Sequence, residues 1–187
     1  NENILTTAVP NMHLMPASAK LAGAELDMLD LDRREYRLLD ALEPIKENYD
    51  YILIDCPPNL GMLTINALTA SDYVIVPLQC EFFALEGVQH LLSTINAIRE
   101  KWNAKLDILG MVLTMYDKKL GLTKAVEDDV RATFGDKVFK TVVPRNVRVS
   151  EAPSHGKPIH AYDPKSRGTE AYINLAKEVI EHNGRQE

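Results

Sequence analysis

Four consecutive apolar residues, Tyr51-Ile52-Leu53-Ile54, run directly into a carboxylate at Asp55. A carboxylate at the carboxyl end of a buried strand stands where open α/β sheets bind ligands, and there it can help hold Mg2+ through its water shell beside nucleotide phosphates. Aspartate also ends strands as a plain helix cap or turn former, so Asp55 by itself leaves both readings open. A second chemistry is carried by charge. Between Lys140 and Gly168 stand Lys140, Arg145, Arg148, Lys157, Lys165 and Arg167 against only Glu151 and Asp163, in a chain whose formal net charge is −6. A local basic region of this kind suits a phosphate backbone, and scattered solvated charge is its bland alternative. Cys56 and Cys80 each border an apolar run and form no CxxC pair. They are expected to be buried thiols in a reducing compartment rather than a disulfide or a zinc site.

The elements that must position these residues alternate. Tyr51 to Ile54 reads as a parallel strand covered on both faces. Tyr73-Val74-Ile75-Val76 reads as a second, Ile108 to Met115 as a third and Val138 to Val143 as a fourth. Between them, Leu85, Val88, Leu91, Leu92, Ile95 and Ile98 trace one face of a helix. Val126, Val130 and Phe134 trace another that Gly135 should close, and Ala171, Leu175, Val179 and Ile180 outline a terminal helix. Upstream, Met12 to Met15 predicts a short strand, and Ser18 an N-cap for a helix through Leu21, Ala22 and Leu26. A helix over Arg33 to Asn48 should be kinked or shortened by Pro44. Strands alternating with helices predict an α/β fold with a mostly parallel, twisted sheet and helices on both faces. The 187 residues, 45% apolar and 26% charged, suffice for one domain spanning 1–187. No apolar run is long enough to span a bilayer, and the opening residues lack the basic start and apolar stretch of a secretory leader, so a cytoplasmic protein is expected.

The blocks around Asp55 go further. Asp55-Cys56-Pro57-Pro58-Asn59-Leu60-Gly61, with Leu63-Thr64-Ile65-Asn66-Ala67-Leu68, resembles the Walker B and switch region of ParA/Soj partitioning ATPases. Val76-Pro77-Leu78-Gln79-Cys80-Glu81, Leu113-Thr114-Met115-Tyr116-Asp117, Val143-Pro144-Arg145-Asn146-Val147-Arg148, Ser150 to Pro158 and Tyr162 to Gly168 follow in the family's order. The resemblance implies a P-loop NTPase-like fold that uses ATP and Mg2+. It also implies a homodimer in the ATP state that binds nonspecific double-stranded DNA, associates with the nucleoid and moves chromosomal or plasmid cargo with a ParB-type partner. Asp55 would be the catalytic and metal-side carboxylate, and Pro144 and Asn146 would lie in the loop at the adenine end. Arg145 could reach nucleotide or partner, and Met115 could pack near the base. Read alone, Pro144 is a strand terminator, Asn146 a turn residue and Met115 a core side chain. Lys119 and Arg148 match the family's DNA-contacting positions. A lysine there neutralises phosphate as a point charge without a two-pronged fork. Lys118, Lys157, Lys165 and Arg167 read as solvated surface.

One part of the family pattern is missing. A phosphate-binding loop needs several glycines and a lysine, yet Gly23 is the only glycine before Gly61 and no GxxxxGK[ST] occurs. The expectation is an N-terminally truncated piece without the first strand and P-loop, unable to hydrolyse ATP alone, with the Tyr51 to Ile54 edge left uncovered. A non-enzymatic DNA-binding or dimerisation module is the alternative. A MinD-like membrane ATPase ranks lower because Glu170, Glu178, Glu181 and Glu187 make the terminal helix acidic rather than basic.

Overall fold

The computed structural model describes residues 3–57, 59–81 and 83–184; Pro58, Glu187 and the side chain of Ala22 lie outside the described residues. The chain divides into two compact units, Asn1–Ala70 and Ser71–Glu187.

The first unit opens on a small antiparallel hairpin, β1 (Leu5–Thr6) and β2 (His13–Leu14), with Leu5 opposite Leu14 and Thr6 opposite His13. Its turn is closed by the Thr7 hydroxyl, which donates to the Met12 carbonyl at 2.8 Å. Helix α1 (Lys20–Asp27) follows. Its N-cap is Ala19 and not Ser18, whose contribution is a backbone carbonyl accepting from Leu21 N–H. The periodic stretch from Arg33 breaks into a 3-10 turn at Arg34–Tyr36, helix α2 (Arg37–Leu42) and a second 3-10 turn at Lys46–Asn48. The break falls around Pro44, which lacks an N–H and crowds the preceding turn.

Helix α3 (Met62–Ala70) is the anchor of this unit. Buried Asn66 accepts from Leu38 N–H at 3.0 Å and donates to the Arg34 and Met62 carbonyls at 2.8 and 3.0 Å. One amide thus satisfies three backbone groups and ties α3 to the turn before α2. Glu25 of α1 accepts from Leu63 N–H at 3.2 Å, a carboxylate on one of the open donors of a helix start.

Tyr51 to Ile54 is not a strand. It joins no ladder among the described residues, and Leu53 is 85% exposed. An apolar run becomes a buried parallel strand only when neighbouring strands take its backbone N–H and C=O groups and other layers cover both faces, and this segment has neither. Cys56 is likewise exposed rather than buried, whereas Cys80 is buried as expected.

The second unit is the α/β sheet. Strands β3 (Tyr73–Gln79), β4 (Asp107–Tyr116) and β5 (Val138–Pro144) pair in parallel in the order β3-β4-β5. Helix α4 (Ala84–Lys101) connects the first pair and α5 (Gly121–Phe134) the second. The crossovers follow the expected pattern because parallel neighbours need a long connection, which the 3.6-residue apolar periodicity supplies. Val88, Ile95 and Ile98 of α4 are almost fully buried, each stabilising the unit by about 1.5–3 kcal/mol relative to exposure. Gly135 ends α5 with φ 53, a left-handed conformation that costs other residues more.

Short helices α6 (Val147–Glu151) and α7 (Ile159–Tyr162) lead into α8 (Arg167–Asn183). Leu175 and Val179 of α8 pack against Leu109, Val112, Phe139 and Val143. Met111 and Leu113 alternate with Val112 along β4 and are 1% and 0% exposed, so the central strand is covered on both sides.

Candidate functional site

The carboxyl ends of β4 and β5 form the second unit's candidate site. Tyr116 pairs with Pro144 at the last rung, and Arg145 N–H donates to the Tyr116 carbonyl at 3.1 Å, extending the pairing past the strand end. Met115, one residue earlier, has φ 49 and is 52% exposed. It leaves the core rather than ending a buried strand, and its left-handed backbone turns the chain into the loop that carries Asp117 and Lys119. Non-glycine residues in that region are uncommon and concentrate at functional turns. The loop is set by Asp117, whose Oδ1 accepts from Lys119 N–H at 3.0 Å.

An open groove of about 680 Å3 lies here, lined by Tyr116, Asp117, Lys118, Lys119, Pro144, Arg145 and Val147, and by Arg167, Glu170 and Ala171 from the first turn of α8. Its charged rim holds the cations Lys118, Lys119, Arg145 and Arg167 against the anions Asp117 and Glu170. The size is that of a small-molecule site, and the excess of cations favours an anionic ligand. Pro144, Arg145 and Lys119 are therefore brought together, with Met115 adjacent in sequence.

Asn146 has the plainer task at its position. Its Oδ1 accepts from Arg148 N–H at 2.8 Å as the N-cap of α6. Gly168 keeps that cap in place: a Cβ there would collide with the Val149 side chain and lie 3.5 Å from Asn146. The segment Tyr162 to Gly168 is a folded turn. The Thr169 hydroxyl donates to the Asp163 carbonyl at 2.6 Å, and Ser166 caps α8 by accepting from Thr169 N–H at 3.1 Å.

Two features escaped sequence reasoning. Arg148 is paired, its Nη1 2.9 Å from Glu151 Oε2 and its Nε 3.5 Å from Asp163 Oδ2. The i,i+3 spacing of Arg148 and Glu151 was the available signal. The other is Glu127 of α5, which accepts from the Tyr116 hydroxyl at 2.6 Å and from Arg131 Nε at 2.9 Å. Burial pushes the Glu127 carboxyl up, but those two hydrogen bonds and the charges of Lys124 and Arg131 outweigh it and hold it below the usual range. Burial likewise raises the Cys80 thiol, with Glu127 adding to the effect.

Asp55 lies in the other unit, exposed, in the irregular segment that follows Tyr51 to Ile54. Among the described residues no group of three or more His, Cys, Asp or Glu side chains could hold a metal ion, and no helix is long and apolar enough to cross a membrane.

A parallel sheet with crossover helices and a groove at its carboxyl edge is an architecture that the P-loop NTPases share with other doubly wound α/β folds. In keeping with it, residues 1–108 match the family model described as an AAA domain. The chain is similar to the sporulation initiation inhibitor protein Soj of Bacillus subtilis, at 56% identity over 94% of this chain and 70% of that protein. It is also similar to the chromosome partitioning protein ParA of Caulobacter vibrioides, at 56% identity over 93% of this chain and 66% of that one. Among solved structures it resembles cobyrinic acid a,c-diamide synthase from Mycobacterium smegmatis with bound ATP analogue and magnesium, with TM-score 0.82 and 35% identity over 100% of this chain and 68% of that one. The chain belongs to the Soj/ParA family of chromosome-partitioning proteins, and it spans about two thirds of the length of the relatives named here.

Proposed function

We propose that this chain supplies the adenine-end and DNA-facing portion of a partitioning ATPase, which dimerises with ATP, binds duplex DNA without sequence preference on the nucleoid and works with a ParB-type partner. The observation that carries this reading is the groove at the ends of β4 and β5, where Pro144, Arg145 and Lys119 meet under an excess of positive charge. It lies at the carboxyl ends of the strands, where open α/β sheets take ligands, and its excess of cations suits an anionic one.

The phosphate end of a nucleotide does not fit the residues present. The sequence holds no glycine-rich loop with a lysine, and Asp55 stands exposed in an irregular segment outside any metal-holding group of three or more side chains among the described residues. Stabilising a transferring phosphoryl group depends on a preorganised cradle of backbone donors and cations. No hydrolytic step is therefore assigned to the 187 residues, and ATP with Mg2+ belongs to a version that carries the phosphate loop the family resemblance implies.

In that extended version, sedimentation with and without ATP should show a dimer only with nucleotide, and Asp55→Ala should impair the Mg2+-dependent turnover while leaving the fold intact. A monomer under both conditions, or normal turnover in the variant, contradicts the reading.

A further inference from the structure

Arg148 and Lys119 share a proposed role but not a setting. Lys119 enters no ion pair among the described residues, and only its backbone N–H is engaged, by Asp117. Arg148 is held by two carboxylates. Its Nη1 donates to Glu151 Oε2 at 2.9 Å, one turn further along α6, and its Nε lies 3.5 Å from Asp163 Oδ2.

Both carboxylates are anchored independently of the arginine. Glu151 Oε2 also accepts from the Tyr162 hydroxyl at 3.2 Å, and the Tyr162 ring stacks on His155 with centroids 4.9 Å apart. The Asp163 backbone carbonyl accepts from the buried Thr169 hydroxyl at 2.6 Å and from Ser166 N–H at 3.2 Å, and its Oδ1 accepts from Lys165 N–H at 3.3 Å. The guanidinium, still exposed to solvent, is thus held against acceptors fixed by the fold. One cation against two anions leaves this cluster at −1 within an otherwise basic stretch, so a DNA phosphate approaching Arg148 must compete with the two carboxylates for the guanidinium.

We propose that Glu151 and Asp163 act as a carboxylate brake on Arg148, lowering its contribution to DNA affinity so that one copy binds weakly and two copies on one dimer are required. The inference rests on reading Arg148 as a phosphate contact. Glu151 and Asp163 act through Arg148 and touch no DNA themselves. The brake suits a protein that must release DNA, because a weak contact per copy makes affinity depend steeply on dimerisation.

The test is DNA binding by the extended, ATP-bound version, titrated against salt on two unrelated duplexes. Glu151→Gln keeps an oxygen for the Tyr162 and Arg148 hydrogen bonds and removes only the charge. It should tighten binding roughly two- to fivefold per copy at low salt, the range of an exposed ion pair, and steepen the salt dependence. In an Arg148→Ala background the same substitution should have little effect. Asp163→Asn, which retains its Oδ1 acceptor, should act in the same direction and decides the matter if Glu151→Gln melts early. Weaker binding in both charge-removing variants would overturn the brake and make the carboxylates positioning groups for Arg148. An equal gain with and without Arg148 would overturn it in favour of a general charge effect. If Arg148→Ala binds like the parent, the DNA reading of Arg148 fails, and the brake with it.

Discussion

Removing the Tyr116 hydroxyl should loosen the mouth of the groove by an amount the structure sets. Tyr116 follows left-handed Met115, and its hydroxyl donates to Glu127 Oε2 at 2.6 Å. Glu127 Oε1 accepts from Arg131 Nε at 2.9 Å, and Arg131 Nη1 continues to the Phe139 carbonyl of β5 at 3.1 Å. The chain of bonds therefore clamps α5 to the carboxyl end of β4 and to the start of β5. A hydrogen bond to a charged group contributes about 1.5–3 kcal/mol, and losing a partner leaves the other desolvated. In Tyr116→Phe the freed Oε2 still has Lys124 Nζ at 3.6 Å, so the loss should fall near the lower end, about 1–2 kcal/mol. For a chain of 187 residues that is a fall in Tm of about 2–8 °C. Glu127→Gln should cost at least as much, because Arg131 loses its charged acceptor. The double variant should fall short of the sum by about 1 kcal/mol, as expected for one network. The effect depends on pH. The Glu127 carboxyl is held below its ordinary value of 4.5, so its contribution is present above that pH and lost as pH falls through the lower folded value. Thermal melts of parent, single and double variants at neutral and acid pH measure this. Strict additivity, or a Tyr116→Phe effect unchanged at acid pH, would refute the clamp.

Three further outcomes are expected. Gly110→Ala should destabilise the sheet by about 1–3 kcal/mol or more in denaturant melts, because its Cβ would sit 2.6 Å from the Phe139 ring in a packed core. Glu178→Gln should cost about 1.5–3 kcal/mol at neutral pH, since that carboxylate accepts from Lys140 and Thr141 N–H at 2.8 and 2.7 Å. Burial raises the Glu178 carboxyl, but those bonds and the charge of His182 bring it below 4.5, so the deficit should shrink as pH falls through the lowered value. The 187-residue chain should show no Mg2+-dependent ATP turnover in a phosphate-release assay, and steady release abolished by Asp55→Ala would contradict that.

The sheet unit was legible in the sequence because each of its elements carries a complete local signal. Tyr73 to Val76 is apolar throughout, Ile108 to Met115 and Val138 to Val143 are mostly so, and the helices between them repeat at 3.6 residues with Gly135 as a stop. The Asp55 segment carried an equally clear strand signal and yet forms none, because parallel pairing is a property of neighbours and not of the run itself. The β1–β2 hairpin was half visible: Met12 to Met15 showed, but a two-residue partner at Leu5–Thr6 is too short to signal itself. At the site, the family resemblance singled out Pro144 and Arg145 for nucleotide and Lys119 for DNA, and the structure lines one groove with all three. The carboxylates around Arg148 were not singled out, because Asp163 approaches it from a turn fifteen residues away in sequence, positioned by Thr169 and Ser166.

The most direct test of the account is a salt titration of duplex DNA binding by the extended version with ATP, comparing the parent with a Lys119→Ala, Arg148→Ala double variant on two unrelated sequences. With two copies of each side chain per dimer, the double replacement can remove up to about four phosphate contacts, each flattening the slope of log affinity against log salt by about 0.9. The account predicts weaker binding by similar factors on both sequences and a flatter slope, with nucleotide-dependent dimerisation measured separately. An unchanged slope and affinity on both would contradict it and leave Lys119 and Arg148 as solvated charges.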